Sequence, residues 1–250
     1  MKTSLLPIVS VLLLSGCVVY VGNGHAGDLQ HEERSLSLEA GQLQQLVADT
    51  GAGKLEIIGE ADRSDISVQA NIYYYNAEDI RLSLKRKGAN AVLQADFDQH
   101  ISYGNSPYID LVVRVPAALA LTLEDGSGDT HIHGLTGKLH IDDGSGELVI
   151  RGGADTVIED GSGDLSISGL TGSLILDDGS GDTDIQNVAG DVKVEDGSGS
   201  LVLRQIGGVV TIDDGSGDID VDGAKGLNII NSGSGGLKIN AIDGPVSIDD

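Results

Sequence analysis

The chain has 250 residues, a formal net charge of −24, no tryptophan, four prolines and one cysteine. A single cysteine excludes a disulfide framework. So acidic a balance excludes a nucleic-acid binder, which needs a basic face.

Residues 1–16 read as a secretion signal. Lys2 supplies the positive start, and Leu5 to Leu14 form an apolar stretch too short to span a bilayer. No later stretch is long enough to cross a membrane. Residues 17–35 read as an anchor point at Cys17 and a polar tether containing Gly22, Asn23, Gly24, Gly27, Asp28, Glu32 and Glu33, with His25 and His31 solvated. Residues 36–115 combine a degenerate first coil with a β-rich lobe. In the coil, Leu46-Val47-Ala48-Asp49-Thr50-Gly51-Ala52-Gly53 aligns with Leu121-Thr122-Leu123-Glu124-Asp125-Gly126-Ser127-Gly128. The lobe then breaks the period with longer alternating segments around Ile66–Ile72, Ile80–Leu84, Ala91–Phe97 and Ile109–Val115. These are expected to pair antiparallel and to cap the N-terminal end of the array, as repeat arrays require. Tyr73, Tyr74, Tyr75, Phe97, Tyr103 and Tyr108 are expected to pack in its core and edges, with a contact surface built on the Tyr run as the alternative.

Residues 116–250 carry the dominant pattern. Gly-Ser-Gly occurs seven times, starting at Gly126, Gly144, Gly161, Gly179, Gly197, Gly215 and Gly233, at spacings of 18, 17, 18, 18, 18 and 18 residues. A fixed short period marks a stacked repeat. Each half-repeat reads apolar-x-apolar and then a glycine-rich corner, which is the strand signal. The fold expected is therefore all-β: a parallel β-solenoid with two short strands per 18-residue coil. Before the corner the inward pairs are Leu121/Leu123, Leu139/Ile141, Thr156/Ile158, Leu174/Leu176, Val192/Val194, Val210/Ile212 and Val246/Ile248. After it they are Thr130/Ile132, Leu148/Ile150, Leu165/Ile167, Thr183/Ile185, Leu201/Leu203, Ile219/Val221 and Leu237/Ile239. Leu135, Leu170, Val188, Ile206, Ala224 and Ile242 plug the opposite corner. The outward file Thr122, His140, Val157, Ile175, Lys193, Thr211 and Ile229 repeats no residue type, which argues against an ice-binding face. The sequence stops at Asp249-Asp250, where three readings stay open: two acids protect an open edge by repulsion, that edge docks on another chain, or the sequence continues.

Acids flank every corner. Residues 124–250 hold 25 acids against 6 bases. Stacking places like charges about 4.8 Å apart, and calcium, with its preference for carboxylate oxygens, is one way to relieve them. The candidate ligands are Asp125, Asp143, Asp160, Asp178, Asp196 and Asp214 before the corners, and Asp129, Glu147, Asp164, Asp182 and Asp218 after them. The corner differs from the Gly-Gly-x-Gly-x-Asp calcium repeat, since its Asp follows the last Gly directly. Turn chemistry alone is the plainer account of the motif. Catalysis finds no support: every corner is short, the lone cysteine is at position 17, and the glycines do not precede a helix. His131 and His133 share a strand face and His140 lies on the other sheet, as exposed strand histidines rather than a zinc site.

Two resemblances add to this reading. Leu14-Ser15-Gly16-Cys17 resembles a bacterial lipobox, which implies cleavage before Cys17 and lipid attachment there. Val18, not Asp, follows, and by analogy this favours the outer membrane. The Gly51-Ala52-Gly53 coil, the insert ending Val113-Arg114-Val115-Pro116 and the ladder beginning Leu121-Thr122-Leu123-Glu124-Asp125 resemble the bacterial putative-adhesin family of β-strand repeats over residues 36–250. That resemblance implies a non-catalytic cell-envelope lipoprotein with an adhesin-like or structural surface. It would be held to the membrane by its lipid and face an envelope or extracellular protein or glycan. A calcium-responsive binding module and a carbohydrate-active β-helix enzyme are the alternatives.

Overall fold

The computed structural model describes residues 29–98 and 106–249. The secretion signal, Cys17, His25, Tyr103 and Asp250 lie outside the described residues. The first strands are β1 (Gln30–Glu39), β2 (Gln45–Ala52), β3 (Leu55–Glu60), β4 (Asp65–Tyr74), β5 (Ile80–Lys87), β6 (Asn90–Phe97) and β7 (Tyr108–Pro116). The coils follow as pairs: β8 (Ala120–Ser127) with β9 (Thr130–His133), β10 (Leu139–Asp143) with β11 (Leu148–Arg151), and β12 (Thr156–Asp160) with β13 (Leu165–Ser168). Next come β14 (Leu174–Asp178) with β15 (Thr183–Val188), β16 (Val192–Asp196) with β17 (Leu201–Ile206), and β18 (Val209–Asp214) with β19 (Ile219–Ala224). Then β20 (Gly226–Asn231), β21 (Leu237–Ile242) and β22 (Val246–Ile248) complete the described chain.

Each coil gives one strand to each of two 11-stranded sheets. From β8 onward, and through β2 and β3, neighbours pair parallel and, apart from one bulge between β18 and β20, residue-for-residue, so Leu139 faces Leu121 and Thr156, and Ile150 faces Ile132 and Ile167. The inward pairs read from the sequence are buried from Leu121 to Val221, and the opposite-corner plugs Leu135, Leu170, Val188, Ile206 and Ala224 are buried with them. The 17-residue coil loses its plug. Gly153 stands in that place, and a Cβ there would meet Leu139 and Leu170 at 2.8 and 3.2 Å. At the last described coil, Leu237, Val246 and Ile248 are in register with the inward files but exposed.

Four expectations are corrected. The lobe is not purely antiparallel: β6 pairs parallel with β2, and β7 parallel with β3, so these two strands stack on the first coil. Antiparallel pairing is confined to β5 with β6, β4 with β7, and β1 with β4. Both sheets and one hydrophobic core therefore run from lobe to array without a break. The polar tether ends sooner than residue 35, because β1 starts at Gln30 and buries Glu32, whose carboxylate accepts from the Tyr74 hydroxyl and pairs with Arg34. His31 is half-buried rather than freely solvated: it stacks on Tyr73, which stacks on Tyr108, with ring centroids 4.6 and 4.5 Å apart. Ile229 faces inward, not outward. Val209 pairs with Gly226, 17 residues on, and a bulge at Ile230 restores the phase so that Asp213 faces Asn231.

The Gly-Ser-Gly corner sets the coil spacing. In six of the seven motifs the second glycine sits at positive φ, +149° at Gly181, where a Cβ would lie 1.7 Å from the Gly163 carbonyl oxygen of the preceding coil; in the last motif the first glycine, Gly233, is at positive φ instead. Glycine is required twice over, for conformation and for room. The opposite corner is looser: its left-handed residue is Gly169 in one coil but Asn187 and Gln205 in the next two. Gly181→Ala is expected to cost about 3 kcal/mol from strain and overlap. Gln205→Gly is expected to relieve about 1 kcal/mol of left-handed strain. Urea unfolding of each variant checks both.

Candidate functional site: the acid files of the Gly-Ser-Gly edge

Strand alternation splits the acid pair that precedes each corner. With Leu123 inward, Glu124 points out and Asp125 points in. The same parity exposes Asp142, Glu159, Asp177 and Glu195 and buries Asp143, Asp160, Asp178, Asp196 and Asp214. Parallel register then stacks the buried aspartates in a single file, Asp125–Asp143–Asp160–Asp178–Asp196–Asp214, headed by Thr50 of the first coil. Their residue exposures run from 0 to 6%.

Their hydrogen bonding is uneven. Thr50 and Thr130 donate their hydroxyls to Asp125 at 2.5 and 3.0 Å, Thr183 donates to Asp178 at 3.0 Å, and the Ser216 amide donates to Asp214 at 3.0 Å. Asp143, Asp160 and Asp196 have neither oxygen in a full hydrogen bond. The amides of Ser145 and Gly144 at Asp143, and of Ser198 at Asp196, draw the pKa down somewhat without reaching good hydrogen-bond geometry. The cause of the unevenness lies five residues on. The residue there is Thr130 or Thr183 where a hydroxyl donor is present, and Leu148, Leu165 or Leu201 where none is; Asp214, with Ile219 in that place, takes the Ser216 amide instead.

Burial pushes all six carboxyls above the ordinary aspartate range. For Asp143 the rise reaches about 6, from burial first and then the charges of Asp125 and Asp142. For Asp160 it reaches about 7, from burial, the charges of Asp143 and Asp178, and the hydrogen bond its acid form gives Asp178. For Asp196 it reaches about 6, from burial and then Asp178 and Asp214. Two ionised neighbours about 4.8 Å apart would repel by roughly 3.5 kcal/mol at an effective dielectric of about 20.

The acids after the corner do something different. Asp129, Glu147, Asp164, Asp182 and Asp218 are wholly or half exposed on the far side of the turn. Three of them cap the next coil: Asp164 accepts from the Asp182 amide at 3.2 Å, Asp182 from the Ser200 amide at 2.9 Å, and Asp218 from the Gly236 amide at 2.7 Å. The corner therefore holds its two acid sets apart, one in the lumen and one in solvent. Among the described residues no group of three or more His, Cys, Asp or Glu side chains stands close enough to hold a metal ion. The eleven calcium candidates thus do not assemble into a ligand set here. On β9 His131 sits exposed and His133 half-buried, with Glu147 at 3.8 Å and Glu56 at 3.3 Å respectively.

The exposed acid file begins in the first coil, where Asp49 pairs in register with Glu124. Asp49 lines an open cleft of about 470 Å³ with Asp96 and Phe97, and burial followed by the Asp96 charge pushes its carboxyl up.

No family model and no curated protein matches this chain. Solved structures do match. A putative adhesin from Bacteroides fragilis is 19% identical with a TM-score of 0.54, over 84% of this chain and 97% of that one. The fold is shared. A putative cell adhesion protein from Clostridium sporogenes matches at 14% identity and TM-score 0.34, over 84% of this chain and 99% of the other. A putative lipid binding protein from Parabacteroides distasonis matches at 15% and 0.46, over 84% and 96%.

Thr183→Val keeps the shape of the side chain and removes the donor to Asp178. It is expected to cost about 2 kcal/mol at neutral pH, as the loss of a buried hydrogen bond to a charged group, read from the urea midpoint.

Proposed function

We propose that this chain is a non-catalytic, lipid-anchored lipoprotein of the cell envelope that presents its β-solenoid as an adhesin-like binding surface. The observation that carries the reading is the in-register exposed acid file, Asp49, Glu124, Asp142, Glu159, Asp177 and Glu195, running along one edge of an array whose corners are all short. Such an edge is a continuous, rigid, negatively charged strip. It offers many equivalent contacts to a basic protein or an amine-bearing glycan. The structural neighbour named a putative adhesin supports the same class of role.

The lipid anchor is assigned to Cys17 and the outer membrane, from the lipobox-like Leu14-Ser15-Gly16-Cys17 and the Val18 that follows. Two or more acyl chains on one residue hold a protein stably at a membrane. Metabolic labelling with a fatty acid is expected to mark the wild-type protein and to leave Cys17→Ser unlabelled and released from membranes. For the surface, capture from envelope extracts is expected to recover a partner whose retention falls with salt. The triple variant Glu159→Lys, Asp177→Lys, Glu195→Lys is expected to lose that partner with its fold intact by circular dichroism. Retention indifferent to both salt and the triple variant refutes the acid strip as the binding edge, and glycan turnover by the purified protein refutes the non-catalytic reading.

A further inference from the structure

Six carboxyl groups stand in one file inside the solenoid, and the buried set of the described residues contains no Lys, Arg or His to balance them. Donors divide the file in two. Asp125, Asp178 and Asp214 each receive at least one hydroxyl or amide proton. Asp143, Asp160 and Asp196, all more than nine-tenths buried, receive none. The two kinds adjoin: register sets Asp143 against Asp125, Asp160 against Asp178, and Asp196 between Asp178 and Asp214. A protonated carboxyl is itself a donor, and an ionised one an acceptor. Every donor-poor member thus has a donor-supplied carboxylate one coil away that can take its hydrogen bond.

We propose that Asp143, Asp160 and Asp196 hold protons in the folded protein at mildly acidic pH and give them as hydrogen bonds to the carboxylates of Asp125, Asp178 and Asp214, making the lumen a proton-sealed file that tightens in acid and loosens as pH rises through neutrality.

The surroundings reinforce the seal. Strands β9, β11, β13, β15, β17 and β19 present only Thr130, Leu148, Leu165, Thr183, Leu201 and Ile219 to the file, none of them titratable. On the outer face, Asp142, Asp177 and Asp213 each push the buried aspartate beside them up, and Asp182 does so for Asp196. The remaining outward acids of these strands, Glu124 and Glu159, add charge of the same sign. The basic groups of this outward file are Lys193, held in solvent by Glu195 at 2.5 Å, and His140, exposed on β10. The raised values of about 6, 7 and 6 fall on the three donor-poor members. An unfolded aspartate ionises near 3.8. Between about pH 4 and about pH 7 the unfolded chain sheds protons that the folded file keeps, so stability declines as pH rises through that window and levels off above it.

Infrared spectroscopy of the full chain reads the protons directly. The protonated-carboxyl band is expected to persist at about pH 5.5, where exposed aspartates have ionised, and to titrate away near the values above. The triple variant Asp143→Asn, Asp160→Asn, Asp196→Asn keeps the shape and a neutral donor at each position. It is expected to lose that band, to flatten the fall of the urea midpoint between acid and neutral pH in high salt, and to exceed wild type in stability at about pH 8. Leu165→Thr, which sets a hydroxyl five residues after Asp160, is expected to shift part of the band to lower pH. A wild-type band gone by about pH 5, or a triple variant that keeps the wild-type slope, overturns the proposal. So does a calcium-dependent rise in Tm that the triple variant abolishes, because the file would then hold a cation. Should the triple variant not fold, the wild-type band decides alone.

Discussion

Parallel stacking in register is the constraint on which everything else rests. Successive strands lie about 4.8 Å apart, so whatever occupies a position in one coil meets its own equivalent in the next. For Leu139, Ile141 and the residues that match them this repetition is favourable, since like aliphatic side chains pack into a dry interior. For glycine it is permissive, because only a missing side chain leaves room for the carbonyl above Gly181. For aspartate it is costly, and the structure deals with that cost differently on the two sides of the sheet. The outward acids are left to solvent and salt. The inward ones depend on Thr50, Thr130, Thr183, the Ser216 amide and each other.

Most of the architecture is legible in the residues because period and parity are strong signals here. The inward pairs, the plugs and both corners follow from alternation and from glycine spacing. The inward Asp was legible too, by the same parity that places Leu123 inside and Glu124 outside, yet Asp before Gly reads first as turn chemistry and masks the strand rule. The missing donors were equally on view: Thr130 and Thr183 interrupt an otherwise aliphatic file, and each lies five residues after a buried Asp that it serves.

What could not be read has physical causes of another kind. The bulge at Ile230 reverses parity for Ile229 through a one-residue slip that no local signal marks. In the lobe, alternation identifies strands but says nothing of direction. Only the docking of β6 on β2 and β7 on β3 makes those pairs parallel. His31 looked polar and free, but a half-exposed ring on a strand has a neighbour wherever the adjacent strand offers Tyr73.

The two edges of the rod differ in tolerance. Along the Gly-Ser-Gly edge each corner is fitted against the backbone of the one before it, leaving no slack for an added or lost residue. Along the other edge, Gly152-Gly153 absorbs a deletion and Gly, Asn and Gln serve interchangeably at the bend. A lineage of such proteins is therefore free to change length by copying or dropping whole coils, while single-residue gains and losses collect on one margin. The glycine edge acts as the ruler, and the opposite edge is where variation and new loops can accumulate.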